Sequence, residues 1–475
     1  MKKIPVYILV LFTVNIHTAL GGNKLLHQKK NTLAADTVSF WLTDPGANIL
    51  FQQQQDIISA GLANNNPVIV VDDSQRYQTM EGFGFTLTGG SAYLFSTMDA
   101  IKRASLLQEL FGVEGKNIGT SYLRISIGAS DLDDHVFSYD DLPEGQTDKG
   151  LSHFTIDADR KYLIPLLKQI LAINPSIKIL GSPWSPPVWM KTNHASKGGS
   201  LLQEYYAKYA DYFVRYIKAM EQEGITIDAV TLQNEPLNPD NNPSLLMLPE
   251  EQASFIKNNI GPAFKKAGIQ TKIILYDHNA DRPDYPLTIL KNAQANSYVD
   301  GSAFHLYGGT IAALSAVHNA YPGKNIYFTE QWVGAPGNLA GDLPWHITNV
   351  VIGSALNWSR TALEWNIAAD AQLKPHTPGG CTQCLGAVTI DGNTVTRNPA
   401  YYVIAHAAKF IRPGSVRIAS TETGQLSNAA FITPGNKKVL LVVNNEKTQQ
   451  TFTVRYNQHS FTASLQAGAV GTFTW

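Results

Sequence analysis

Two glutamates in this sequence stand where apolar, strand-like runs come to an end. Glu235 follows the run at 229–234, and Glu330 follows the run at 326–329. Two carboxylates can cleave a glycosidic bond if one protonates the leaving oxygen and the other attacks the anomeric carbon. The two groups must then differ in environment, because one holds a proton near neutral pH while the other is ionised. A separation of about 5–5.5 Å between them would give retention of configuration.

Polar and aromatic residues follow other apolar runs as well. His305 and Tyr307 come after one run, Trp184 after a second and Trp365 after a third. Each has an ordinary structural explanation, since a lone histidine is more often a core residue and Asn-Glu-Pro is also turn chemistry. Their joint occurrence at the ends of separate runs is what favours a catalytic site. Asn234, beside the first glutamate, is suited to hydrogen-bond a sugar hydroxyl.

The elements that must position these residues begin at about residue 80. Short apolar runs there alternate with helix-length amphipathic segments, among them 162–173, 205–222 and 249–267. This alternation over eight runs predicts an α/β fold of the (β/α)8 TIM-barrel type, whose reactive residues cluster at the C-terminal ends of the strands. The predicted strands are 82–87, 121–126, 178–182, 229–234, 273–276, 302–305, 326–329 and 361–365.

An open, doubly wound sheet is the alternative for such a pattern. That fold would usually carry a glycine-rich dinucleotide fingerprint after its first strand. Here Gly82-Phe83-Gly84 is followed by Phe85 and Thr86, with no third glycine in place and no helix start. The sequence therefore favours the barrel, which we expect to occupy residues 80–411.

A different pattern flanks the predicted barrel. After about residue 412, short strand-like runs at 415–419, 429–432, 439–443, 451–455 and 469–475 are separated by turn residues. Helical periodicity is absent, which predicts a fused antiparallel β-sandwich over 412–475. The runs at 38–41 and 68–71, separated by the Gln-rich stretch 52–55, have no place in the barrel. We therefore expect residues 38–79 to join the sandwich.

The N-terminus has the composition of a bacterial-type signal peptide. Lys2 and Lys3 precede a short apolar stretch at 4–16, and small residues follow at 19–22. The stretch is too short and too interrupted to span a bilayer as a helix. We interpret 1–21 as a signal peptide and the polar segment 22–37 as a linker. The prediction is an exported protein, periplasmic or extracellular, with no membrane span in the mature chain.

The charge and the aromatic content of the chain indicate which classes of molecule it binds. The formal net charge of −1 gives no field that would steer a polyanion, so nucleic acid is excluded as a partner. Aromatic residues make up 10% of the chain, and their faces can hold the apolar faces of sugar rings. We expect a polysaccharide or oligosaccharide substrate. A monomer is favoured, although the sequence does not fix the oligomeric state.

Only two cysteines occur, Cys381 and Cys384, in a Cys-Thr-Gln-Cys arrangement. A small-loop disulfide suits an exported protein. A zinc site would need two further ligands, and His376 is the only nearby candidate. A redox role lacks the surrounding βαβ pattern. The sequence thus predicts a stapled loop, and nothing in it indicates a metal or an organic cofactor.

Seven short motifs follow one another along the chain: Gly-Phe-Gly (82–84), Ser-Tyr-Leu-Arg (121–124), Ser-Pro-Trp-Ser-Pro-Pro (182–187), Asn-Glu-Pro (234–236), His-Leu-Tyr (305–307), Thr-Glu (329–330) and Glu-Trp-Asn (364–366). Taken together and in this order, they resemble glycoside hydrolase family 30, which includes lysosomal glucosylceramidases and microbial β-1,6-glucanases. The resemblance covers essentially the whole mature chain, including the closing stretch at 409–415. The short segment after Glu235 and the loop 379–384 are more similar to the bacterial β-1,6-glucanases.

The resemblance implies a retaining mechanism through a glycosyl-enzyme intermediate. By position, Glu330 matches the nucleophile, Glu235 the acid/base and Arg124 a residue near the nucleophile. Residues that match the lining of the reacting-sugar pocket are Asp131, Trp184, Asn234, His305, Tyr307 and Trp365. Of these, Asp131 and Trp365 favour a glucose-type ring.

The function predicted from the sequence is therefore an exported β-1,6-glucanase. A glucosylceramidase-like enzyme or another β-glucosidase would share the same chemistry. A glycan-binding protein that kept the barrel but lost catalysis is a third reading, although both glutamates are present. Endo or exo action is left open, because loops decide the shape of the cleft.

Overall fold

A computed structural model describes residues 37–59, 64–424 and 426–475. The predicted signal peptide and residues 22–36 of the predicted linker lie outside the described residues. Thr37, the last residue of that linker, already begins a strand that runs to Asp44. Within the described residues no helix is long and apolar enough to cross a membrane.

Eight parallel strands close into a barrel, so the predicted TIM-barrel class is confirmed. Each strand pairs with the next along the chain, and the eighth pairs with the first through Thr361 and Gly82. Gly84 is required in the first strand, because a Cβ there would lie 1.9 Å from the carbonyl oxygen of Tyr122. The strands, called first to eighth below, are Gly82–Leu87, Tyr122–Ile127, Lys178–Pro183, Ala229–Thr231, Lys272–Ala280, Val299–Gly309, Asn325–Glu330 and Ser359–Asn366.

Helices connect these strands and cover the outside of the barrel. The apolar faces of the helices and the outer faces of the strands form one large core. The α-helices are Gly89–Thr97, Ala100–Phe111, Asp157–Lys161, Leu163–Ile173, Tyr206–Gln222, Pro249–Phe255, Gly261–Ala267, Asp284–Leu290, Ala293–Asn296, Ala312–Ala320, Leu339–His346, Gly353–Leu356 and Pro399–Ala408. Shorter 3-10 turns lie at Val188–Met190 and Gln203–Tyr205, and π-helical turns at Ile256–Ile260 and Ile347–Ile352.

One segment predicted as a single helix is interrupted in the structure. The segment 249–267 contains the π-helical turn Ile256–Ile260 just before Pro262. Proline lacks an N–H and its ring clashes with the preceding turn, so regular helical bonding is altered before such a residue. The segment 162–173 forms one helix from Leu163 onward, and Pro165 is tolerated there because it lies in the first turn.

A second sheet, of ten strands, forms the sandwich domain. Thr37–Asp44 pairs with Val470–Thr474, so the two ends of the described chain meet in this sheet. The pairing is antiparallel except between Val68–Thr79 and Gln450–Tyr456, which are parallel. The sheet order is Ile49–Gln53, Thr37–Asp44, Val470–Thr474, Lys438–Asn444, Leu426–Ile432, Val416–Ser420, Val68–Thr79, Gln450–Tyr456 and His459–Leu465, with Ile57–Ile58 paired to Thr37–Asp44.

The strands also depart from the sequence prediction. The fourth barrel strand ends at Thr231, and residues 232–234 continue without ladder pairing toward Glu235. The stretch expected to separate the first two strands of the sandwich instead contributes Ile49–Gln53. His459–Leu465 was not predicted, although Phe461, Ala463 and Leu465 are buried and alternate with polar residues along it.

Short strands at the barrel mouth come from segments after the seventh and eighth strands. Val333–Gly334 pairs with Cys384–Leu385, and Ala368–Ala369 pairs with Val388–Asp391, which in turn pairs with Thr394–Arg397. These pairings hold the loop with the two cysteines against the C-terminal face of the barrel.

Candidate active site

The two glutamates meet at the C-terminal face of the barrel. Glu330 is the last residue of the seventh strand, and Glu235 lies just beyond the fourth. Glu235 has a positive φ of 45°, and its N–H donates to the carbonyl oxygen of Asp277 at 2.9 Å. One oxygen of each glutamate and a ring nitrogen of His305 lie within 4.8 Å of one another. This spacing matches the short carboxylate separation of retaining glycosidases, not the wider gap of inverting ones.

Glu330 is held at both carboxylate oxygens. Arg124 Nη1 donates to its Oε2 at 2.5 Å, and Tyr307 Oη donates to its Oε1 at 2.9 Å. Arg124 is completely buried, so this ion pair is shielded from water. A carboxylate fixed by a cation and a phenol keeps one defined direction for attack on a substrate carbon.

His305 bridges Glu235 and Asp277 from beneath the pocket floor. Its Nδ1 lies 3.1 Å from Glu235 Oε1, and its Nε2 lies 3.1 Å from Asp277 Oδ1. Burial opposes a charge on the ring, but Glu330 and the two hydrogen-bonded carboxylates outweigh burial and raise the pKa of His305 to about 9. At neutral pH His305 is therefore an imidazolium that donates to both carboxylates.

The two glutamates differ in electrostatic environment. Burial opposes the ionisation of Glu235, but the hydrogen bond and charge of His305 lower its pKa to about 2. Asn238 Nδ2 adds a second donor, to Glu235 Oε2 at 2.7 Å. For Glu330 burial is the largest influence and raises the pKa, with His305 and Arg124 acting against it. Between these two hydrogen-bonded groups, the surroundings therefore favour the proton on His305 over Glu235.

Asp277 is the organising residue beneath the site, and the sequence analysis did not single it out. It is fully buried, and its carboxylate accepts from Arg124 Nη2 at 2.9 Å and from the hydroxyls of three neighbouring strands. Those donors are Ser182, Thr231 and Thr329, each at 2.7 Å. Asp277 follows the predicted fifth strand, so the rule that examined strand ends could have found it.

Asn234 and the two tryptophans shape the reacting end of the pocket. Arg124 Nη2 donates to Asn234 Oδ1 at 2.6 Å, which leaves the amide nitrogen to donate to a ligand. Trp184 and Trp365 have ring centroids 5.5 Å apart, and the Arg124 guanidinium lies 4.8 Å from the Trp184 ring. The rings close one side of the site with an apolar, polarisable surface that suits the face of a sugar.

Asp131 lies in the same pocket and is fixed by the disulfide loop. Cys381 and Cys384 form a disulfide, and the Cys381 N–H donates to Asp131 Oδ2 at 3.2 Å. Cys384 also packs in one cluster with Trp184 and Trp365. Burial, followed by the nearby Glu330, raises the pKa of Asp131 to about 7. The disulfide loop therefore holds a hydrogen-bonding carboxyl at the edge of the site.

These side chains border one pocket of about 780 Å³, called the mouth pocket here. Seven of the nine residues predicted for the site line it, whereas Arg124 and His305 are completely buried behind them. His305, expected in the pocket wall, thus acts from below. Lining residues that the sequence analysis did not single out include Leu237, Asn238, Asp240, Asn241, His278, Asn279, Asp281, Arg282 and Trp332. His278 and Asn279 lie at the end of the fifth strand, and the others come from loops, whose convergence no strand pattern reveals.

Glu235, His305 and Glu330 also have the spacing of a three-ligand metal site. Their surroundings oppose a metal cation, because the Arg124 guanidinium already contacts Glu330 and His305 itself is charged. A further cation would be repelled by both. The arrangement is better suited to moving a proton and forming a bond to carbon.

Two closely spaced carboxylates at the C-terminal face of a (β/α)8 barrel are an arrangement that retaining glycoside hydrolases use. Residues 80–411 match the glycosyl hydrolase family 30 TIM-barrel domain, and residues 414–473 match the family 30 beta sandwich domain. The chain belongs to glycosyl hydrolase family 30.

Individual relatives agree with this assignment. An endo-1,6-beta-D-glucanase of Neurospora crassa is 37% identical over 374 residues, which are 76% of each chain. An endo-1,6-beta-D-glucanase of Aspergillus fumigatus is 33% identical over 462 residues, 91% of this chain and 92% of that one. The solved structure of the endo-β-1,6-glucanase BT3312 has 35% identity and a TM-score of 0.86, covering 93% of this chain and 99% of its own.

Proposed function

We propose that this protein is an exported, retaining endo-β-1,6-glucanase with Glu330 as nucleophile and Glu235 as general acid/base. The observation that carries the mechanism is the close approach of the two carboxylates around His305, within 4.8 Å. The linkage is supported by the relatives above, whose names specify β-1,6-glucan. Both catalytic carboxylates are present, which argues against a purely glycan-binding role.

In the first step, an oxygen of Glu330 forms a bond to the anomeric carbon as the glycosidic C–O bond breaks. The departing oxygen takes a proton from Glu235. In the second step, a water molecule gives its proton to Glu235 and attacks the same carbon, and the ester bond to Glu330 breaks. Two inversions give overall retention.

The proton for the first step comes to Glu235 through its hydrogen bond with His305. Without substrate, His305 holds that proton because three carboxylates surround the ring. Attack by Glu330 consumes one of those negative charges, which lowers the pKa of His305 in the transition state. The proton can then pass across the 3.1 Å contact to Glu235 as the leaving oxygen becomes basic. Glu235 and His305 thus titrate as a coupled pair.

Recognition of a glucosyl ring is assigned to the walls of the mouth pocket. Asp131 accepts from outer hydroxyls, Asn234 donates to a hydroxyl next to the anomeric carbon, and Trp365 lies against the ring. The pocket volume of about 780 Å³ is at the upper end of ordinary small-molecule sites, which leaves room beyond a single sugar. This room supports internal cleavage of a chain.

Export is proposed from two features. The N-terminal segment 1–21 has the composition of a signal peptide. The Cys381–Cys384 disulfide suits an oxidising compartment such as a periplasm or the extracellular space.

The product profile on linear β-1,6-glucan tests this proposal. Purified protein would be incubated with that polymer and, in parallel, with glucosylceramide and with β-1,3- and β-1,4-glucans. A ladder of β-1,6 oligosaccharides with the other substrates intact is the expected result. Release of glucose from glucosylceramide alone would keep the two-glutamate mechanism and discard the substrate. Binding of glucan without any cleavage would overturn the catalytic proposal.

A further inference from the structure

A buried carboxylate outside the mouth pocket has no hydrogen-bond partner among the described residues. Asp140 lies in the long loop that follows the second barrel strand, with only 1% of its surface exposed. Within the described part of the chain, neither of its carboxylate oxygens accepts a hydrogen bond. Leaving a buried charged group unsatisfied is costly, so such a group calls for protonation, water or a cation.

Two metal-ligating groups face Asp140. An oxygen of Asp140, an oxygen of Asp148 and a ring nitrogen of His153 all lie within 4.8 Å of one another. Asp148 is itself buried, and His153 Nδ1 lies 3.0 Å from its Oδ2.

We propose that Asp140, Asp148 and His153 bind a divalent transition-metal ion. Two carboxylate oxygens and one imidazole nitrogen form a mixed ligand set that suits Zn²⁺ or Mn²⁺, whereas Ca²⁺ and Mg²⁺ prefer oxygen alone. Water would complete the coordination on the side where His153 is exposed to solvent. This site is independent of the proposed glucanase activity, because none of its ligands borders the mouth pocket.

The ion would add a further link to a loop that hydrogen bonds already hold, among them those of Tyr139 with Tyr212 and Asp159. Trp189 Nε1 donates to the carbonyl oxygen of Asp140 at 3.1 Å, and Arg215 donates to the carbonyl oxygens of Gly150 and Leu151. The ion would join the two parts of the loop, 138–141 and 148–153, directly to each other. Its effect would be on stability, since a ligand that binds only the folded state raises the free energy of unfolding.

The test is metal-dependent melting after removal of bound ions with a chelator. Wild-type protein should bind one Zn²⁺ or Mn²⁺, measured by elemental analysis, and its Tm should rise by a few degrees or more at saturating metal. The His153→Gln variant should weaken the shift, and Asp140→Asn should remove it. Glu144→Gln is the matched control, because Glu144 is an exposed acid of the same loop. Glu330→Gln should keep the shift, which excludes binding at the catalytic carboxylates.

The Asp140→Asn variant gives a second, opposite signal. In chelator it should melt at or above wild type, because it removes an unpaired buried charge beside Asp148. In saturating metal it should melt below wild type. An absence of metal binding by wild type, an equal shift in Asp140→Asn, or a shift with Ca²⁺ alone that His153→Gln leaves unchanged would each overturn the proposal. Because His153 is exposed, its variant remains informative even if Asp140→Asn fails to fold.

Discussion

The two ends of the barrel both contain clustered charges, but the clusters are composed differently. At the N-terminal end, Glu81 contacts three cations, with Lys272 Nζ at 2.8 Å, Arg360 Nη1 at 3.1 Å and Lys178 Nζ at 3.4 Å. Burial opposes the ionisation of Glu81, yet Lys272 and the other cations lower its pKa overall. This cluster is electrostatically satisfied.

At the C-terminal end, acids outnumber bases. Among the described residues there, Arg124 and His305 form ion pairs with Glu235, Asp277 and Glu330, and Asp131 is a fourth buried carboxyl. The surroundings lower the pKa of Glu235 and raise that of Glu330. Perturbed groups of this kind gather where chemistry is done, whereas the opposite end of a TIM barrel serves stability. The same fold thus has charges with incompletely balanced partners at the C-terminal end and well-paired charges at the N-terminal end.

The largest expected effect is that of Glu330→Gln. Loss of the nucleophile should lower kcat/KM on β-1,6-glucan on the order of 10⁴-fold or more, because no covalent intermediate can form. The Tm should stay near that of wild type, since glutamine retains the shape: its amide oxygen can accept from Arg124, and its amide N–H can donate to the Tyr307 hydroxyl. Initial rates of sugar release and a melting curve would be measured. Wild-type activity in this variant would refute the nucleophile assignment.

The Glu235→Ala variant should depend on the leaving group. Cleavage of glucan should fall by about 10²–10⁴-fold, the usual contribution of general acid–base catalysis. Formation of the glycosyl-enzyme from an activated aryl glucoside should be much less affected, because a good leaving group needs no protonation. Burst-phase kinetics on both substrates separate the two cases. Equal losses at that step would argue against an acid role for Glu235.

Asp277→Asn tests the positioning network. We expect kcat to fall on the order of 10²-fold, the cost of a small misplacement of reacting groups. The pH profile is the decisive readout. Since Asp277 helps to raise the pKa of His305 to about 9, its replacement should move the alkaline limb of activity to lower pH. Asp300→Asn, at the opposite end of the barrel, is the control and should leave the limb in place. If the alkaline limb of the pH–activity profile did not move in Asp277→Asn, the role of Asp277 would be structural only.

The smallest effect on activity is expected for the Glu81 cluster at the N-terminal end of the barrel. Glu81→Gln should lower the free energy of unfolding by about 1–3 kcal/mol and leave kcat unchanged. The folded-state pKa of Glu81 is lowered, so its stabilisation is present above the unfolded value near 4.5 and is lost as pH falls below it. Denaturant unfolding at pH 7 and pH 3 would show the difference from wild type shrinking in acid. A difference that grew in acid, or a large loss of kcat, would break the contrast between the two ends.

The sequence predicted the barrel because its signal is local and periodic. Each strand end could be searched for chemistry, and Glu235 and Glu330 were found in this way. Asp277 could have been found in the same way, because it directly follows the predicted fifth strand, 273–276, but the end of that strand was not searched. The prediction therefore missed Asp277 while finding Arg124 and His305, which hydrogen-bond to it.

Other features depend on contacts between distant loops. The raised pKa of His305 results from carboxylates that come from different parts of the chain, and no local sequence pattern indicates their combined effect. Asp140 and His153 are polar residues of a loop, a position where polar residues are expected and usually solvated. Only the folded loop shows that Asp140 is buried and that its carboxylate has no hydrogen-bond partner among the described residues. Pairing of strands from both chain ends was inferred by elimination, whereas the parallel pair between Val68–Thr79 and Gln450–Tyr456 had no sequence signal.

Trapping of the covalent intermediate tests the central claim most directly. The fluorine of a 2-deoxy-2-fluoro-glucoside slows both steps, whereas a good leaving group speeds the first, so the glycosyl-enzyme should accumulate. Mass spectrometry of the digested protein should then find one fluoroglucosyl group, attached to Glu330. Attachment to any other residue would contradict the account. The account would also be contradicted if active wild-type enzyme were never labelled and released product with inverted configuration.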